Sequence, residues 1–262
     1  MPPTPAAGAG PSPTFWDHLE ALRSVLLRLL ALITIVAIVC FCFKSLLFDG
    51  IILAPQRPSF PTYRLIGRLA ALFGIDAAFP PIPLINTAMT RQLFVHMTMS
   101  LWMALLITSP YIIYSLFHFL APALYSRERQ LALRLLGGGY ALFLIGVLIA
   151  YFLIFPIAFR FLATYQVSPQ ITNLITLQSY VDTLCALTLL MGLLFELPIL
   201  CLLLSKAGII NRFSLVRYRR HALVLILVAA AVITPTTDPF TLLLVALPVY
   251  LLYELSICIV SR

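Results

Sequence analysis

The sequence predicts an all-α polytopic membrane protein, with six transmembrane helices in a curved bundle under a structured outer cap. Three observations predict it. Hydrophobic residues make up 62% of the 262 positions and charged residues 10%, with a mean hydropathy of +1.05, whereas a soluble domain carries roughly 45–50% and about 25%. Apolar stretches recur near the roughly 20 residues that cross about 30 Å of hydrocarbon. The bases gather in the loops between those stretches, so a net charge of +8 reads as membrane topology rather than as an affinity for nucleic acid. Helices are the open-ended way to satisfy backbone groups in lipid.

The elements follow in order. Met1 to Thr14 is rich in Pro, Ala and Gly, has no basic stretch, and runs into the charged Asp17, Glu20 and Arg23. It reads as a disordered N-terminal tail (1–14) rather than a signal peptide, leaving residues 15–262 as a single six-helix transmembrane domain. The spans are Leu26–Leu47, Leu93–Leu116, Leu136–Phe159, Val181–Leu204, Ala222–Ile233 and Thr241–Val260. Between the first two, Phe48 to Gln92 holds six prolines and an amphipathic run, Tyr63 to Phe73, with Arg64 and Arg68 together. That run predicts an interfacial helix inside the cap. The fifth span has 12 residues, too few to cross upright, and T-P-T-T-D-P (Thr234 to Pro239) turns the chain after it, so spans five and six read as one short hairpin. Pro110, Pro156, Pro198 and Pro248 fall inside spans and predict kinks that curve the bundle. With the N-terminus inside, eleven bases lie on the cytoplasmic side and six outside, which places both termini in the cytoplasm.

Polar residues inside apolar stretches are the candidates for function. Glu196, in L-L-F-E-L-P-I-L near the centre of span four, is costly in lipid. It is either hydrogen-bonded to a neighbouring helix, or a contact for a substrate or partner helix, or a proton site. Glu254 lies close enough to the end of span six to reach the interface. Asp238 either caps the sixth helix through its side-chain oxygen or touches a partner. Glu128 stands between Arg127 and Arg129 in the loop after span two, an arrangement that by itself is an ordinary solvated pair. The histidines His18, His96, His118 and His221 show no metal-ligand spacing, and Cys40, Cys42, Cys185, Cys201 and Cys258 all sit in apolar stretches as small core hydrophobes. Neither a nucleotide-binding loop nor a nucleophile with a base is present, so the reading is of a non-enzyme with no catalytic residues, no metal, no cofactor and no nucleic-acid partner. The alternative is a proton- or ion-coupled small-molecule transporter, which the proline-broken helices would also serve.

Four stretches together resemble the TatC family, the multi-spanning receptor subunit of the twin-arginine (Sec-independent) protein translocase: F-W-D-H-L-E-A-L-R (Phe15 to Arg23), S-P-Y-I-I-Y-S-L-F-H-F-L-A-P-A-L-Y-S-R-E-R (Ser109 to Arg129), F-E-L-P (Phe195 to Pro198) and T-P-T-T-D-P-F through A-L-P-V-Y-L-L-Y-E (Thr234 to Glu254). With Ala54-Pro55 after span one, the resemblance runs along nearly the whole chain after the tail. It implies a glove-like protein of the bacterial inner membrane that binds twin-arginine signal peptides of folded precursors. It also implies recruitment of TatA-type and, where present, TatB-type single-span subunits, in a homo-oligomer within a hetero-complex driven by the proton motive force. It assigns signal-peptide binding to Glu128, Glu20, Phe119, Pro122, Leu124, Tyr125 and Arg23, and intramembrane or partner contacts to Glu196, Asp238 and Pro55. A guanidinium presents a planar fork that a carboxylate accepts bidentately, which lysine cannot reproduce. Two positions depart from the family pattern. Ala21 stands where a glutamate is usual, with Glu20 one step earlier and rotated by about 100° on a helix, and Leu242 stands where a glutamine commonly follows the outer turn.

Overall fold

A computed structural model describes residues 15–74, 79–120, 126–168, 170, 173–206, 208–234 and 238–260. The tail expected over 1–14 lies outside the described residues. The long helix α1 (Phe15–Cys42) runs antiparallel to α3 (Arg91–Leu120): Phe41, late in α1, stacks its ring on His96, early in α3, at 4.0 Å. Only 6% of the apolar window of α1 is buried, against 33–44% for the other long spans, so α1 leans on one neighbour and leaves the rest of its surface to lipid.

At the far end of α1 the chain forms the predicted cap. A π-helical turn (Leu46–Ile52) and a 3₁₀ turn (Ala54–Gln56) lead to α2 (Pro61–Leu72). Pro61 starts α2 at the position where a missing N–H costs nothing. A two-residue parallel bridge, β1 (Leu84–Ile85) with β2 (Ile175–Thr176), pairs Leu84 with Ile175 and Ile85 with Thr176. It ties the first outer segment to the second, a link too short for any alternation pattern to predict. We call this the cap end and its opposite the open end.

The third span comprises α4 (Ser126–Ile149), a π turn (Ala150–Ile154) and α5 (Phe155–Thr164); the fourth comprises α6 (Leu177–Leu194) and α7 (Leu197–Lys206). Prolines were expected to bend four spans, and they interrupt only these two. Pro156 follows the π turn and cannot donate to the carbonyl of Phe152, which the Thr62 hydroxyl of α2 satisfies instead. Pro198 sits just after the break at Phe195–Glu196. Pro110 and Pro248 lie within continuous helices. In α3 the carbonyl that Pro110 leaves without a donor, Leu106, accepts from the Ser109 hydroxyl at 2.7 Å, which spares the helix.

The last elements are α8 (Arg212–Arg217), α9 (Arg219–Ile233) and α10 (Pro239–Ile259). Among the described residues five helices are long and apolar enough to cross a membrane, and α9 is not one of them. Its 15 residues reach about 22 Å, as the short fifth span predicted. The sixth keeps close to its expected bounds, α10 having 21 residues, about 32 Å, so the hairpin is not short throughout but has one short arm and one full arm. The core lies between α3, α6 and the third span, around Met99, Trp102, Phe155, Tyr180, Leu184 and Met191. Small residues let α4 and α6 approach: a Cβ at Gly146 would stand 2.7 Å from the Met191 carbonyl oxygen, and one at Gly192 2.8 Å from the Phe143 ring.

Candidate functional site

The break in the fourth span creates the most unusual polar position. Pro198 contributes no N–H, and the Glu196 carbonyl accepts from both Ile199 and Leu200 to start α7 afresh. At that break Glu196 is half-buried, and its Oε1 is buried with no hydrogen-bond partner in the protein. Its other oxygen faces Gly139 of α4, where an added Cβ would lie 2.8 Å from Oε2. Glycine at 139 therefore makes room for the carboxylate between two helices. The sequence placed Glu196 near the centre of its span; it sits nearer the open end, because α6 starts at Leu177 and Gly139 is only the third residue of the apolar stretch Gly137–Thr164.

Glu20 and Arg23 lie on the first turns of α1 and are exposed. From the Phe41–His96 stack, Glu20 is about 32 Å back along α1 and Phe119 about 34 Å on along α3, so both reach the open end. Glu128 belongs to the first turn of α4, which is separated by five residues from the end of α3 at Leu120 and so starts at that same end. Pro122, Leu124 and Tyr125 lie outside the described residues, and the side chains of Phe119 and Glu128 are likewise outside them. Glu128 and Glu196 do not share a site: eleven residues separate Glu128 from Gly139 on α4, about 16 Å of helix rise.

Asp238 caps α10, its Oδ2 accepting from the Thr241 N–H at 2.7 Å, while Oδ1 is buried without a partner. Capping is thus one of the two alternatives its position left open, and it uses one oxygen. Pro55 is buried in the 3₁₀ turn of the cap. Glu254 accepts from Arg219 at 2.7 Å and from the Tyr250 hydroxyl at 3.1 Å, so its partner comes from the start of α9.

Three contributors were missed. Gly139 was visible as part of the run Gly137 to Gly139, a signal of close backbone approach. Tyr151, read as a residue of the third span, and Tyr180, one residue before the expected start of the fourth, donate to the cap carbonyls of Ile51 and Ile52 at 2.6 and 2.7 Å. Their interfacial aromatic character was the available signal.

The sequence model of the family described as "Sec-independent protein translocase protein (TatC)" matches residues 17–248. The TatC protein of Deinococcus radiodurans is 32% identical over 252 residues, covering 96% of this chain and 86% of the relative. That of Aquifex aeolicus is 36% identical over 181 residues, covering 69% and 75%. A solved structure described as a crystal structure of "Twin Arginine Translocase Receptor- TatC" superposes with a TM-score of 0.73 at 31% identity, over 92% of this chain and 97% of that one. A second, in DDM, gives 0.75 at 31% identity, over 94% and 100%. The broken helices, the outer cap and the open-end charges thus come with agreement in sequence and fold along most of the chain, and the chain belongs to the TatC family of Sec-independent protein translocase proteins.

Proposed function

We propose that this protein is the receptor subunit of a twin-arginine translocase, binding the signal peptide of folded precursors at its open end. The observation that carries the reading is the family match over residues 17–248, and the placement of Glu20, Arg23 and the first turn of α4 at one end of the bundle supports it. In this reading Glu128 accepts the guanidinium forks of the paired arginines. Glu20 and Arg23 assist from α1, and Phe119, Pro122, Leu124 and Tyr125 shape the surface around them. Glu196, poised at the helix break with an unpartnered oxygen, meets single-span partners of the TatA type and, where present, the TatB type. Asp238 contacts a partner toward the cap, and the buried Pro55 acts through the shape of the cap turn that holds it. The excess of bases, eleven against six, orients the open end and both termini to the cytoplasm of a bacterial inner membrane. Residues 15–262 act as one domain, in several copies within a hetero-complex, and transport draws on the proton motive force.

The test compares a twin-arginine signal peptide with its twin-lysine counterpart on the protein in lipid nanodiscs. Selective binding of the arginine form is the expected result. Equal affinities would overturn the assignment, because loss of the bidentate geometry should be felt at a carboxylate receptor.

A further inference from the structure

We propose that the open-end segment joining the fourth and fifth spans is a binding site for an anionic phospholipid, its headgroup held by Arg212, Arg217 and Arg220 and its chain lying on Phe213 and Val216. The segment from 206 to 221 carries five cations, Lys206, Arg212, Arg217, Arg219 and Arg220, and no aspartate or glutamate. The next acid along the chain is Asp238, at the cap end. Glu254 neutralises Arg219 alone, and among the described residues that is the one ion pair. Arg212, Arg217 and Arg220 are left exposed.

The local fold sorts two of these cations, Arg212 and Arg217, onto one exposed face of α8, and Arg220 follows exposed in the first turn of α9. Asn211 caps α8 by accepting from the Ser214 N–H at 2.8 Å. Ser214 and Leu215 turn inward and half-buried, whereas Arg212, Phe213, Val216 and Arg217 share the exposed side. Phe213 is 74% exposed and Ile209 69%. A cleft of about 550 Å³ is lined by Asn211, Arg212, Phe213 and Val216.

Depth identifies the ligand. The Tyr253 hydroxyl donates to the Leu215 carbonyl at 2.7 Å, and Glu254 pairs with Arg219. Those anchors stand six and five residues before Ile259, the end of α10, or about 8–9 Å along its axis. Helix α8 is therefore docked on the flank of α10 rather than beyond its end, and its arginines are level with the last turns of an apolar helix. The short α9 starts at the same level. Guanidinium groups at that depth beside exposed aromatic and aliphatic side chains match a molecule with an anionic head and an apolar tail. An acidic peptide or a nucleic acid would satisfy the charge and leave Phe213, Val216 and Ile209 uncovered. A zwitterionic lipid would cover them and leave the charge unbalanced.

The experiment titrates the full chain, in phosphatidylcholine nanodiscs, with phosphatidylglycerol, and reads retained lipid by native mass spectrometry and affinity by fluorescence. The expected result is a salt-sensitive preference for phosphatidylglycerol. It should fall on the order of a hundredfold in the triple variant Arg212→Gln, Arg217→Gln, Arg220→Gln. The cap-end triple Arg57→Gln, Arg64→Gln, Arg68→Gln, which removes the same charge, should leave it unchanged. Phe213→Ala should weaken phosphatidylglycerol and leave the weak binding of glycerol phosphate as it was. Equal losses in the two triples would overturn the proposal, as would glycerol phosphate or a polyglutamate peptide competing as well as the lipid. Should the open-end triple fail to fold, the exposed single variants Arg212→Gln and Arg217→Gln, each expected to lose about fivefold, decide the matter. The triple arginine-to-lysine variant, which keeps the charge, should rescue most of the binding.

Discussion

The two ends of the bundle are braced differently, although both expose charged side chains. At the cap end a set of tyrosine, threonine, glutamine and arginine side chains is spent on the chain's own irregular backbone, while Lys44, Asp49, Arg57, Arg64, Arg68 and Arg91 stay exposed. Tyr151, Tyr180 and Tyr63 donate to the carbonyls of Ile51, Ile52 and Pro156, Thr62 to Phe152 and Gln56 to Ile82. Arg160 donates to Pro80 and lies over the rings of Tyr63 and Phe79, at 5.1 and 5.2 Å. At the open end Glu20, Arg23, Arg212, Arg217 and Arg220 are exposed, and the side-chain links include the Tyr253 bond from α10 to α8 and the Arg219–Glu254 ion pair between α9 and α10. Irregular backbone close to hydrocarbon must find internal partners, which explains the stapled cap. Charges that the fold leaves uncommitted are available to ligands, which fits a receptor surface at the open end.

That contrast predicts function loss without instability at the open end, and the reverse at the cap. The largest effect belongs to Glu128→Gln, which should weaken twin-arginine peptide binding on the order of a hundredfold while thermal unfolding in detergent stays where it was. Unfolding at lower temperature would show that Glu128 is a structural group, and the contrast would fail. Next is Tyr180→Phe, which strands the buried Ile52 carbonyl and should cost about 1–3 kcal/mol in a denaturation titration. Thr62→Val does the same to Phe152 beside Pro156 and falls in the same range, about 1–3 kcal/mol, toward the lower end because the site is at the edge of the cap. Glu254→Gln removes the open-end ion pair, whose side chains are 45% and 31% exposed, and should cost under about 1 kcal/mol. A larger loss would mean that the open end is braced as firmly as the cap.

The smallest effect is one of pH. Burial pushes the Tyr63 hydroxyl up from 10.0 to about 12, with the Arg160 guanidinium beside it pulling part of the way back. The folded hydroxyl holds its proton where the unfolded one has begun to release it. Its contribution is therefore complete below pH 10 and lost as pH rises toward 12. Unfolding followed over that window should flatten in Tyr63→Phe relative to the parent protein. An unchanged slope would show that Tyr63 does not hold the cap.

Much of the fold was legible because lipid imposes a length rule. The apolar stretches gave the long spans, the 12-residue run Ala222–Ile233 announced the short α9, and the periodicity of Tyr63 to Phe73 announced α2. The prolines were legible only as lost donors. Whether each one breaks its helix depends on what replaces the donor: Ser109 does so locally for Pro110, whereas Thr62 comes from another element for Pro156. The site divided in the same way. Glu196 stood out in sequence because a carboxylate in an apolar run is costly, but its partner Gly139 is 57 residues away and met only through the packing of α4 on α6.

Composition, span length and charge distribution, all local properties set by solvation, determined that this chain spans a membrane, where its cap lies and which motifs mark its family. Tertiary structure decided what those quantities cannot carry. It set the distance between Glu196 and Glu128, the capping use of one Asp238 oxygen and the docking of α8 on the flank of α10. It also separated a cap end whose irregular backbone is stapled by side chains from distant elements from an open end held by fewer such bonds. Each of those depends on which carbonyl or carboxylate a distant side chain reaches, and that is settled by packing between helices rather than by the order of residues within one.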